Sequence, residues 1–161
     1  MMHDYTSRIG VIIIKAKEIM VEEVITVHKN DTIAEIAKIL VDKAISGVPV
    51  VDDEGNLVGI VSEGDLLHKK TTPRIPNYVN VLGAIIYYNG VEQYNADFKK
   101  LMAEQAGSIM TEKVISISEE MEIDEIAQLM LKHNIKRVPV VKNNKIIGII
   151  SRRDLIKLLI P

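Results

Sequence analysis

Two short stretches carry the residue types most able to do chemistry: Gly59-Ile-Val-Ser-Glu-Gly-Asp-Leu66 and Gly148-Ile-Ile-Ser-Arg-Arg-Asp-Leu155. Each places a serine three residues before an aspartate, after a glycine and an apolar pair. Three chemistries fit that spacing. The serine could sit on a nucleophile turn, but such a turn needs glycine two residues before it, and here the glycine stands three before. The serine could cap a helix whose first turn carries the aspartate near the positive helix end. The aspartate, with two acceptor oxygens, could also hold a vicinal diol such as ribose beside unpaired helix N–H groups. Cap and sugar grip are compatible with each other.

The flanking residues differ. Arg152 and Arg153 stand where the first stretch has Glu63 and Gly64, and Lys136 and Arg137 stand where it has Ser46 and Gly47. Guanidinium groups pair well with phosphate and a glutamate repels it, so Asp154 is the better candidate partner for a phosphorylated ligand.

The doubling runs through the whole chain. Met20 matches Met110, Thr26 matches Ser116, Ile33 matches Ile123, and Val48-Pro-Val-Val51 matches Val138-Pro-Val-Val141, all 90 positions apart (110 − 20). Beyond a one-residue deletion in the second copy the offset is 89 (148 − 59). A repeat this long is a duplicated small domain. In each copy, apolar residues at helical spacing follow a capping start, Thr32 with Glu35 in the first. Two β-branched runs around a turn come next: Asp52-Asp-Glu-Gly-Asn56 in the first copy, Asn143-Asn144 in the second. Ser62 or Ser151 then opens a last helix. Each copy therefore reads β-α-β-β-α, an α/β (α+β) unit too small to bury much surface alone, and the two are expected to pack through their sheets about a pseudo-two-fold axis.

Taken together, Gly47-Val-Pro-Val-Val51 with Gly-Ile-Val-Ser-Glu-Gly-Asp-Leu66, Arg137-Val-Pro-Val-Val141 with Gly-Ile-Ile-Ser-Arg-Arg-Asp-Leu155, and the Ile-Met-x-x-x-Val-Ile-Thr/Ser opening of both copies resemble the cystathionine β-synthase (CBS) domain family. The resemblance implies a tandem pair, often doubled into a disk-like homodimer, that binds an adenosine-containing ligand in clefts between repeats and signals to a separate effector protein. Carried onto this sequence, it gives Asp65 and Asp154 to ribose hydroxyls and Ser62 and Ser151 to phosphate or ribose. Ile45, Val48 and Pro49, with Ile135, Val138 and Pro139, would flank adenine. Backbone near Thr26-Val27 and Ser116-Ile117 would read its edge, and Lys136, Arg137, Arg152 and Arg153 would meet phosphate. An adenine nucleotide or S-adenosylmethionine is the expected ligand, with no catalytic cofactor. A scaffold that dimerises without ligand is the alternative.

The organisation expected is an extension over 1–15, repeats over 16–68 and 109–161, and an insert over 69–108. The insert starts as an irregular connection with Lys69, Lys70 and Arg74. It continues as an apolar stretch from Val79 to Tyr88 closed by Asn89-Gly90, and ends in a helix from Asn95 to Ala106. It reads either as a core extension beneath the sheets or, with Tyr87 and Tyr88, as cover for a cleft or a dimer surface. Arg8 to Ile14 could add an edge strand.

Composition narrows the function classes. With 20 basic and 22 acidic residues, net charge −2 and pI near 6.1, no field exists to recruit a nucleic acid polymer. The longest apolar runs are far short of the ~20 residues that span a bilayer, so no membrane segment is expected. The absence of cysteine fits a reducing, cytoplasmic location. His3, His28, His68 and His133 show no metal-ligand spacing, and neither common phosphate-binding glycine loop occurs, so the chain reads as a binding module and not an enzyme.

Overall fold

The structure, a computed structural model, describes residues 13–68 and 75–160. The expected roles of Lys69, Lys70 and Arg74, and most of the Arg8–Ile14 segment, lie outside the described residues.

In the first repeat, β1 (Val27–His28) runs parallel to β2 (Gly47–Val51), which pairs antiparallel with β3 (Leu57–Ser62). Helix α2 (Ile33–Asp42) starts as its sequence dictates: Glu35 N–H donates to Thr32 Oγ1 at 3.3 Å and Thr32 N–H donates to Glu35 Oε2 at 2.8 Å. The turn between β2 and β3 is closed by Asp52, which accepts from Glu54 N–H at 3.0 Å and Asn56 N–H at 2.8 Å. Helix α3 (Glu63–Leu67) follows. The second repeat has α6 (Ile123–Lys132), β6 (Arg137–Lys142), β7 (Lys145–Ser151) and α7 (Arg152–Lys157). Its first strand is reduced to a parallel bridge of Ile117 with Val140. Asn143 and Asn144 both take positive φ, as a two-residue hairpin with right-handed twist requires.

The chain divides into two compact units, and each takes its opening segment from the other repeat. Among the described residues, one comprises those up to Glu23 with Ser116–Lys142 and those from Ile147 onward; the other comprises those between Val24 and Ile115 with Asn143–Ile146. Short helices α1 (Ala16–Ile19) and α5 (Ala106–Ile109) lead these segments, and matched bonds hold them. Ala16 N–H donates to Met121 O at 2.9 Å in one unit, as Ala106 N–H does to Asp31 O at 2.9 Å in the other. Val21 bridges Ile149 on β7, and Thr111 bridges Ile60 on β3. The two methionines of the repeat explain two glycines: a Cβ on Gly59 would lie 2.9 Å from Met110 Cγ, and one on Gly148 the same distance from Met20 Cγ. Gly59→Ala is therefore expected to cost about 1–3 kcal/mol by overpacking, and pairing it with Met110→Ala should recover part of that loss in urea unfolding.

Both long repeat helices end alike. Ile45 N–H reaches Leu40 O at 3.0 Å and Ala44 N–H reaches Val41 O at 3.2 Å, with Ile135–Met130 and Asn134–Leu131 repeating the pair. Ala44 and Asn134 each sit at φ 51°. Asparagine tolerates that conformation and alanine does not, so Ala44→Gly should stabilise the protein by about 0.5–1 kcal/mol in thermal melts.

Two separate cores result. Ile36, Val48, Val50, Val61 and Ile109 anchor one, and Ile126, Met130, Val138, Val140 and Ile150 the other.

The insert departs from expectation. Instead of one apolar stretch there is a hairpin, β4 (Asn77–Val81) with β5 (Ala84–Asn89), turning at Leu82-Gly83. Every residue of it is exposed, so the core-extension reading fails for the hairpin, while Ala103 and Ala106 at the far end of the insert do join the first core. The helix after it, α4 (Val91–Met102), begins four residues early, because Gly90 O accepts from Tyr94 N–H at 2.9 Å, and it stops before Ala106, which belongs to α5.

Candidate functional site

Ser62 ends β3 and caps α3, so the backbone turns where strand becomes helix. Ser62 N–H and Oγ–H both donate to Asp65 Oδ2, at 2.9 and 2.8 Å, and Asp65 N–H returns to Ser62 Oγ at 3.4 Å. Asp65 is 7% exposed, a buried carboxylate held in one orientation. Ser151 builds the same box: its N–H and Oγ–H donate to Asp154 Oδ2 at 2.9 and 2.6 Å. The first N–H of each helix is tied down equivalently, Glu63 to Ser46 O and Arg152 to Lys136 O.

In the second box the other carboxylate oxygen is engaged as well. Lys157 Nζ donates to Asp154 Oδ1 at 3.0 Å. Burial pulls the Asp154 carboxyl upward, but the Ser151 hydroxyl and N–H, with Lys157, outweigh it and hold it below its ordinary value. It is an anion at neutral pH.

The remaining predicted residues separate by burial. Val27, Val48, Pro49, Ile117, Val138 and Pro139 are buried and serve the cores. Ile117 has also committed its backbone: its N–H donates to Pro139 O at 3.0 Å and its carbonyl accepts from Val141 N–H at 2.8 Å. Thr26, Ile45 and Ile135 are half-buried, and Ser116 is exposed. Among the cations, Lys136 and Arg153 are exposed and Arg137 is half-buried. Arg152 is engaged elsewhere. Its Nε donates to Ile135 O at 2.8 Å and its Nη2 to Met130 O and Asn134 Oδ1 at 3.4 and 3.2 Å, so it fastens the end of α6. Sequence reasoning missed this because the partners lie some 17–22 residues away.

A groove of about 420 Å³ opens in the unit that contains α6 and α7. Its wall is mostly apolar, with Ile13, Ile123, Ile156 and Leu159 beside Glu122 and Asp124, and it contains none of the predicted site residues. Among the described residues no group of three or more His, Cys, Asp or Glu side chains could hold a metal, and no helix is long and apolar enough to cross a membrane.

The arrangement, then, is a pair of oriented carboxylates at equivalent strand-to-helix junctions. The CBS domain model matches the chain twice, over residues 16–71 and 106–161. The chain belongs to the CBS domain family. Its similarity to uncharacterized protein MJ1426 of Methanocaldococcus jannaschii is 34% identity over 152 residues, 89% of this chain and 90% of that protein. The inosine-5'-monophosphate dehydrogenase of the same organism is 31% identical across 89% of this chain, which spans only 23% of that enzyme. Among solved structures, the CBS domain pair of protein MJ0100 in complex with 5'-methylthioadenosine and S-adenosyl-L-methionine is 30% identical, with a TM-score of 0.68, covering 91% of this chain and 96% of that one. CBS repeats thus account for both Ser-x-x-Asp boxes and for the mixed α and β architecture, while the β4–β5 hairpin and α4 lie outside the matched stretches.

Proposed function

We propose that this chain is a regulatory module that binds an adenosine-containing ligand and carries out no catalysis of its own. The observation that carries the reading is the repetition of one Ser-x-x-Asp box, in which each serine donates both its N–H and its hydroxyl to the aspartate, in a chain that superposes on a CBS pair holding two adenosyl compounds. In this reading Ser62 and Ser151 orient Asp65 and Asp154, whose carboxylates receive the ribose hydroxyls. Half-buried Ile45 and Ile135 flank the base, beside Thr26 and Ser116. Arg153, Lys136 and Arg137 face phosphate near Asp154; Arg152 leaves that set because α6 holds it. Exposed Glu63 suits a neutral or cationic adenosyl compound near Asp65, so S-adenosylmethionine prefers the first box and a nucleotide the second.

The working form in this proposal is a homodimer that signals to a separate effector protein. Support comes from apolar side chains exposed at matching places on both repeats: Val41 with Leu131, and Leu67 with Ile156. The second reading, a dimerisation scaffold without ligand, is favoured by one specific observation, the Lys157 ammonium on Asp154 Oδ1.

Thermal melts separate the two. Titrating AMP, ADP, ATP, 5'-methylthioadenosine and S-adenosylmethionine should raise the melting temperature for at least one compound, approaching about 2.7 kcal/mol of stabilisation at a hundredfold excess over its dissociation constant. A scaffold would melt at one temperature throughout the series.

A further inference from the structure

The β4–β5 hairpin is the strangest surface of the molecule. From Ile75 to Val91 the sequence has no charged residue. Strand alternation and register put Val79, Val81, Ala84 and Ile86 on one face, with Val79 opposite Ile86 and Val81 opposite Ala84; Tyr88 is the extra residue at a register shift. Tyr78, Asn80, Ile85 and Tyr87 form the other, where Tyr78 and Tyr87 meet edge-on at 6.2 Å. One face is therefore wholly apolar, and it is exposed.

The tip adds a second oddity. Leu82 occupies the turn at φ 51° and is fully exposed. Asparagine or glycine would relieve both the backbone conformation and the apolar exposure. A leucine that is locally wrong on two counts marks a place where the local rule yields to an outside contact. A lone two-stranded hairpin is moreover marginal in water, so the covered state has to contribute to its order.

We infer that the hairpin is a self-association element: its Val79–Ile86 face packs on the same face of a second copy about a two-fold axis. The size suffices. Val79, Val81, Ala84 and Ile86 on that face, with Leu82 at the tip, are all exposed. At about 100 Å² apiece they present on the order of 500 Å², so two copies together bury about 1,000 Å², the lower bound of a specific interface. The charge fits as well, since a neutral strip meets its own copy without the like-charge repulsion that a self-complementary contact otherwise has to overcome. Two such faces stacked give a small sandwich with its apolar residues inside. This contact lies outside the CBS repeats and stands independently of ligand binding.

The absence of cysteine from the chain makes the test direct. In the full chain, Ile86→Cys should oxidise to a disulfide-linked dimer at micromolar protein about tenfold or more faster than Asn80→Cys, a control on the opposite face of the same strand pair. Equal rates, or no covalent dimer from Ile86→Cys, would overturn the proposal. Sedimentation velocity supplies the second arm. Ile86→Lys and Ile86→Glu should each weaken self-association at least about tenfold, and mixing them should restore it, as expected only where residue 86 meets its own copy. Unchanged association in both variants refutes the contact. So does a wild-type chain that stays monomeric but co-sediments with phosphatidylcholine vesicles, which would give the face to a membrane. Adenosyl-ligand melts should be the same for Ile86→Lys as for wild type, so failure of the ligand reading and failure of the hairpin contact are told apart.

Discussion

Asp154→Ala is expected to weaken binding of a phosphorylated adenosyl ligand about 10- to 100-fold, a loss of ~1–3 kcal/mol, measured by titration calorimetry. Under the proposed function, the substitution removes the carboxylate that accepts the ribose hydroxyls at that box. It also orphans Ser151 N–H and Oγ–H, both of which donate to Asp154 Oδ2, so a stability loss of about 0.5–2 kcal/mol accompanies it. The two effects separate with Lys157→Met. That change leaves the Ser151 bonds intact and releases Asp154 Oδ1, so affinity should hold or rise if the ribose uses that oxygen. Unchanged affinity in Asp154→Ala, measured on folded protein, would remove Asp154 from the site.

Ile36→Ala and Ile126→Ala should each destabilise the protein by about 2–5 kcal/mol in urea unfolding, the largest losses expected of any single substitution considered. Both side chains are 0% exposed, each in the middle of the apolar stripe of its helix, and each packs in its own core. Deleting three carbons leaves a cavity in a close-packed interior, and the β-branched strand residues around it, Val48 and Val50 or Val138 and Val140, have little rotamer freedom to fill it. The duplication predicts losses of similar size. Val41→Ser and Leu131→Ser, on the exposed sides of the same helices at 78% and 73% exposure, should leave monomer stability within about 0.5 kcal/mol, so any loss they cause will appear in association.

Which parts of this were legible in the sequence follows from how locally each was encoded. The helix starts at Thr32, Ser62 and Ser151 could be read because caps act over three residues, and the Asn143-Asn144 turn because few residues tolerate its backbone. The β-α-β-β-α order and the position of both boxes came with them. The hairpin at Leu82-Gly83 escaped notice because its turn lacks the Asn or Asp that announces one, leaving only an apolar run. The exchange of opening segments could not be read at all: nothing in Ile19-Met20 says which repeat's strand it will lie against, although Gly59 and Gly148 are the matching space. Arg152 and Lys157 were beyond reach for a similar reason. A guanidinium beside a predicted anion site looks like a ligand group until the carbonyls at the end of α6 arrive beside it.

Backbone amide resonances of the ¹⁵N-labelled protein, followed while the tightest-binding adenosyl compound is added, probe the place of binding and not only its occurrence. Saturable shifts concentrated on Ser62–Asp65, Ser151–Asp154 or both are the expected result. Shifts confined to the groove near Ile13 and Leu159, or no movement with any of the compounds, would contradict it.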